Sequence, residues 1–117
     1  MKFEPGQIVA TPGALEAFEA SGESPLAFLQ RHLAGDWGEL SPEDIRENEF
    51  SLQHGWRLLS AYRLSTGVKV WVITEADRSV TTLLLPDELS LTKTLCTLIR
   101  MSFPQANREA QAVRGPA

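Results

Sequence analysis

The feature that most constrains this chain is a change in hydrophobic period at Arg57. Before it, apolar residues recur at helical spacing, with Leu26, Phe28, Leu29 and Leu33 as the clearest stripe; after it they alternate every second residue. A two-residue repeat cannot sit on one face of a helix, nor a 3.6-residue repeat on one face of a strand. The chain therefore reads as helices followed by a sheet. Its 117 residues suffice for one modest core and leave no room for two. With 43% hydrophobic and 22% charged residues, disorder, collagen-like structure and coiled coil are set aside.

Three similar punctuation marks place the helices. Thr11-Pro12, Ser24-Pro25 and Ser41-Pro42 each put a capping hydroxyl before a proline, whose missing N–H costs nothing in a first helical turn. Gly22, Gly35 and Gly55 supply the stops. The spacing predicts helices ending before Gly22, near Ala34 and near Gln53. A short apolar strand, Ile8 to Ala10, precedes the first. From Arg57 the alternation predicts a hairpin of residues 57–64 and 68–75 around Ser65-Thr66-Gly67, then a third strand at residues 79–85 stopped by Pro86. Leu91, Leu95, Leu98 and Ile99 are spaced for an amphipathic helix over about Ser90 to Met101. Residues 104–117 carry no apolar stripe and read as a weakly ordered tail. The expected fold is α+β: one domain over residues 1–103, with N-terminal helices packed on a three- to four-stranded antiparallel meander and a C-terminal helix. Apolar residues at both parities of the second hairpin strand predict that both sheet faces are covered.

Composition narrows function by exclusion. Cys96 has no disulfide partner, and with only His32 and His54 beside it no metal site or other cofactor is expected. No apolar run approaches the roughly 18 residues of a membrane span. Met1 to Pro5 lacks the features of a secretory signal, so a cytoplasmic protein without a membrane partner is expected. Up to Trp56 there are ten acidic and three basic residues, and from Arg57 five acidic and eight basic, giving an acidic front half and a net charge of −4. That balance disfavours general nucleic-acid binding. No phosphate-binding loop, GxSxG elbow or HExxH motif is present.

Two clusters could carry chemistry. In Arg31-His32-Leu33-Ala34-Gly35-Asp36-Trp37-Gly38, a histidine in a last helical turn suits acid/base or phosphate contact. The structural alternative is a helix end that satisfies its own carbonyls, with Asp36 shaping a turn that seats Trp37 in the core. In the run from Thr74 to Thr82, Arg78 stands among Glu75, Asp77 and a file of hydroxyls that includes Ser79, Thr81 and Thr82. A guanidinium so placed can hold a phosphate bidentately, or simply pair with its acidic neighbours. Ser60 and Tyr62 share one face of the first hairpin strand. His54 reads as a helix-end residue, and Cys96 as buried and inert.

The strings IVATPGALEAFEASGESPLAFLQRHLAGDWGEL and SAYRLSTGVKVWVITEADRSVTTLLLPDEL resemble a family of small plasmid and genomic-island proteins, often labelled plasmid-related. The resemblance spans Phe3 to Glu88. It implies an accessory role for a mobile element. More distantly, the order of residue types is similar to that in the barnase, colicin and RelE-like ribonuclease group. That likeness implies His32 as acid or base, Arg78 as the group neutralising the phosphorane, and Ser60 or Tyr62 with Thr81 or Thr82 as orienting hydroxyls.

Two functions follow. One is a protein-binding role, such as an inhibitor of a host defence system like restriction or CRISPR, with Asp36, Trp37, Trp71, Glu75 and Asp77 meeting a protein partner. The other is a metal-independent endoribonuclease acting on RNA through His32, Arg78, Ser60 and Thr81, which predicts convergence and requires His32 and Arg78 to lie on one face within about a nucleotide's reach of each other.

Overall fold

A computed structural model describes residues 1–93 and 99–100. The elements run β1 (Gln7–Ala10), α1 (Pro12–Ser21), α2 (Pro25–Leu33), α3 (Pro42–His54), β2 (Leu58–Arg63), β3 (Lys69–Thr74), β4 (Val80–Leu84), a 3₁₀ helix (Pro86–Lys93) and β5 (Ile99–Arg100). All three α-helices begin where their caps predict. The Thr11 and Ser41 hydroxyls accept the N–H groups of Ala14 and Asp44, Ser24 accepts that of Leu26, and a proline follows each cap.

The sheet departs from the expected meander. Its order is β2-β3-β4-β1-β5, and β1 lies parallel to β4 with Ile8 opposite Thr81 and Ala10 opposite Leu83. The sheet is therefore mixed, although β2-β3-β4 are antiparallel neighbours as predicted. Ile8, Val9 and Ala10 are all buried, as a strand inside the sheet with both faces covered requires.

The C-terminal helix expected over Ser90 to Met101 is not seen in its described parts. They form the end of a 3₁₀ helix and a two-residue strand paired antiparallel with β1. The residues between, and the expected tail, lie outside the described residues.

One sheet face carries Ser60, Tyr62, Val70, Val72, Thr74, Thr81, Leu83, Ile8 and Ala10, in register across four strands. Ala14 and Phe18 of α1 and Phe28, Leu29, His32 and Leu33 of α2 are buried, and most of these join the apolar members of that face in one core. The opposite face is buried as well at Val9, Ala61, Ile73, Thr82 and Leu84.

Helix α3 is attached differently. Its buried residues are Asn48 and Ser51, both polar. The Asn48 amide donates to the carbonyl of Leu59 and accepts the Leu59 N–H at 3.1 Å, so it completes the outer edge of β2 as a neighbouring strand would. One turn further along that edge, Ala61 donates to the Trp37 carbonyl (3.1 Å) and accepts from the Glu39 N–H (2.6 Å). This capping of the edge by loop and side chain sets α3 beside the sheet and leaves its apolar side chains outward.

Candidate functional site

Three of the four residues proposed for ribonuclease chemistry do converge. The Ser60 hydroxyl lies 2.5 Å from Nδ1 of His32, and Nε2 of His32 lies 2.9 Å from the Thr74 hydroxyl. That hydroxyl is 2.7 Å from the hydroxyl of Thr81, which is bonded to the Pro5 carbonyl at 2.7 Å. Thr74 is the member whose role the sequence concealed, although two-residue alternation puts it directly across the ladder from Thr81.

The proton order along this chain follows from its last member. A carbonyl only accepts, so Thr81 must donate to Pro5. Its single hydrogen is then used, and Thr74 must donate to Thr81. Thr74 in turn can only accept from His32, which places a proton on Nε2. Nδ1 is left with a lone pair, and Ser60 donates to it. Burial, with a smaller contribution from the nearby positive charge of Arg78, lowers the imidazole to about 3, so this neutral tautomer persists at ordinary pH.

A serine donating to a histidine is the first half of a nucleophile–base pair. Here it cannot meet a substrate: His32, Ser60, Thr74 and Thr81 are all fully buried. The third position is a threonine rather than a carboxylate, so nothing stabilises an imidazolium. Among the described residues no buried side-chain polar atom lacks a partner. His32, Ser60 and Thr81, expected as part of a catalytic set, are thus interior residues. The register of β2, β3 and β4 puts Ser60 and Thr81 on one face, and that face is the interior one.

Arg78 is engaged nearby in a different task. Its backbone takes a positive φ of 60°, and Nη1 donates to the carbonyls of Trp56 (2.7 Å), Glu75 (3.0 Å) and Ala76 (3.2 Å). Its guanidinium carbon lies 5.6 Å from the centroid of the Phe3 ring, which meets the His32 ring edge-on at 5.2 Å. Through Nη1 the arginine therefore closes the β3–β4 turn. Replacing it should cost stability: Arg78→Ala is expected to lower the unfolding free energy by about 1–2 kcal/mol, read by urea titration, since three carbonyls lose one charged donor.

The residues expected to face a partner are scattered. Trp37 is buried, with its indole N–H donating to Glu49 at 2.7 Å, so it is corrected from a contact residue to a core residue. Asp36 is exposed, but Arg31 holds it at 2.7 Å and keeps its carboxyl below the usual range; its backbone carbonyl accepts from Tyr62 at 2.6 Å. Glu75 pairs with Arg57 at 3.0 Å, and Asp77 accepts the Ser79 N–H at the turn. Trp71 is half-buried on the second sheet face, opposite Ala61 and Leu84.

The surface that does stand open was not anticipated. Phe50 and Trp56 are 47% and 55% exposed, more than any other aromatic residue among the described residues, and Ile45 lies on the helix of Phe50 at 36%. The His54 ring stacks on Phe50 at 3.8 Å and 15°, and Trp56 lies 5.0 Å from Phe50. Local geometry holds this shelf in place. Gly55 reverses the chain in the left-handed conformation, and the Trp56 N–H bonds the Ser51 carbonyl at 3.0 Å, folding the indole back over the last turn. The signal available in the sequence was an aromatic residue one place beyond a helix-stopping glycine.

Beside the shelf runs a groove of about 670 Å³ whose lining includes Leu40, Leu59, Phe50 and Trp56. Among the described residues no cluster of three or more potential metal ligands is found, and no helix is long and apolar enough to cross a membrane. No protein-family model, curated protein or solved structure matches the chain.

Proposed function

We propose that this protein acts by binding another protein, as an accessory factor of a mobile element that blunts a host defence system such as restriction or CRISPR. One observation carries the binding reading: His32, Ser60 and Thr81 are consumed in an interior hydrogen-bond chain, while the two most exposed aromatic side chains among the described residues, Phe50 and Trp56, stand together at the end of α3 beside a groove. The acidic first half supports a partner that normally engages nucleic acid. The mobile-element setting rests on the resemblance of the RHLAGDWG and ITEADRSVTT strings.

The test has two arms. Labelled RNA incubated with the protein in EDTA is expected to remain intact; multiple-turnover cleavage would return the ribonuclease reading. Cells carrying a restriction or CRISPR system and expressing the chain are expected to accept targeted plasmid DNA at least tenfold more often. Trp56→Ser should abolish that gain, and an unchanged acceptance frequency on expression would count against the inhibitor role.

A further inference from the structure

Resting on the protein-binding reading, we infer that the α3 groove receives a cationic segment of a protein partner that presents a large apolar side chain to the Phe50–Trp56 shelf. Two features point to this occupant. The first is the contrast between floor and rim. Asn48 and Ser51 are buried and Leu40 and Leu59 half-buried, so the base is mostly enclosed, while Glu43, Asp44 and Glu47 line the groove as exposed residues. None of these three carboxylates forms an ion pair among the described residues. Of the two arginines lining the groove, Arg57 is neutralised by Glu75, leaving Arg46 to oppose three carboxylates. An entering chain therefore meets a net negative rim, which favours Lys or Arg and repels acids. The same rim opposes an RNA backbone.

The second feature is preorganisation. The shelf rings are held by the stacked His54, whose Nδ1 lies 2.8 Å from the Phe50 carbonyl, and by the chain reversal at Gly55. Rigid aromatic groups lose little conformational freedom when a partner covers them, which is why such residues dominate binding energy at interfaces. Groove, aromatic shelf and unpaired carboxylates together match a segment with alternating basic and apolar faces.

The experiment uses the full chain labelled with ¹⁵N and three 14-residue probe peptides: an amphipathic Leu/Lys helix, its Leu/Glu counterpart and its Ser/Lys counterpart, all in 150 mM salt. The Trp56 indole N–H resonance is the reporter. The Leu/Lys peptide is expected to shift it saturably, with the other two at least tenfold weaker. Phe50→Ser and the double variant Glu43→Gln/Glu47→Gln should each weaken binding about tenfold while leaving the melting temperature within a few degrees.

Equal binding of the Leu/Glu or Ser/Lys peptide overturns the inferred chemistry but leaves the docking face standing. Shifts confined to residues away from Trp56, no shift with any peptide, or saturable binding of a single-stranded oligoribonucleotide at Trp56 overturns the inference itself. So does self-association by sedimentation that Trp56→Ser abolishes, since a second copy would then be the occupant. The RNA-cleavage arm above separately decides whether the protein-binding reading survives.

Discussion

Lowering the pH from 7.5 to 5 is expected to remove about 2 kcal/mol of stability from the wild-type protein, and His32→Gln is expected to abolish most of that loss. The sign follows from where the proton is held. In the folded chain the imidazole is depressed to about 3 from its usual 6.5 by burial and then by Arg78. As pH falls through 6.5, the unfolded chain takes up a proton that the folded chain refuses, so each further unit costs up to about 1.4 kcal/mol until the folded value is reached. Staying above pH 5 keeps most carboxylates out of the titration. Urea unfolding at several pH values, for both proteins, gives the two slopes directly. The variant should also start lower at pH 7.5, by about 1–3 kcal/mol, because an amide cannot span Ser60 and Thr74 as the ring does. Equal slopes in the two proteins would show that burial of His32 does not hold the ring neutral.

Gly38→Ala is expected to cost at least about 3 kcal/mol, in the range of mutations that strike a named structural device. Gly38 has a φ of 75° and forms a parallel bridge with Ala61. A methyl group there would overlap the Ala61 carbonyl oxygen and crowd the Tyr62 ring, so the substitution meets backbone that cannot yield. Relief requires moving residues 37–39 off the β2 edge. That breaks the two backbone bonds to Ala61 and disturbs Trp37, whose indole is anchored on Glu49, and Tyr62, whose hydroxyl is anchored on the Asp36 carbonyl. Gly22→Ala is the control: its φ is 73°, but open space surrounds it, so only the conformational penalty of about 1 kcal/mol applies. Urea midpoints compare the two, and red-shifted tryptophan emission should accompany the first alone. A loss at Gly38 no larger than at Gly22 would mean that the 37–39 segment does not seal the sheet edge.

These two sites show how far the residues could be read in advance. The turn at Gly35 to Gly38 was legible as a structural device because Asp and Gly shape turns through their own backbone and nearest neighbours. His32, Ser60 and Thr81 were grouped by the resemblance in order of residue types, while the two-residue period placed Ser60 with Tyr62 and Thr81 with Ser79 within their own strands. Whether those faces met solvent or core was not legible, because polar side chains usually mark the outside of a strand. Here they partner one another within the core, and only the packing of α2 over β2, β3 and β4 reveals it. The sequence did not single out Phe50 and Trp56. Asn48 occupies the place on α3 where an apolar contact would have drawn the helix over the sheet, so both rings stay outside.

Short-range chemistry was decided by the amino-acid order: where each helix starts, because a Ser or Thr hydroxyl and a proline act within one turn; where it stops; and which runs become strands. The partner of β1, the inward turn of the His32 chain and the outward turn of the α3 shelf were decided by the tertiary structure. The first two depend on residues far apart in the chain, as Ile8 opposite Thr81 and His32 against Ser60 illustrate, and the third on Asn48 reaching across to the edge of β2 at Leu59. Hydrophobic pattern states that a face will be covered. Only the assembled chain determines by what.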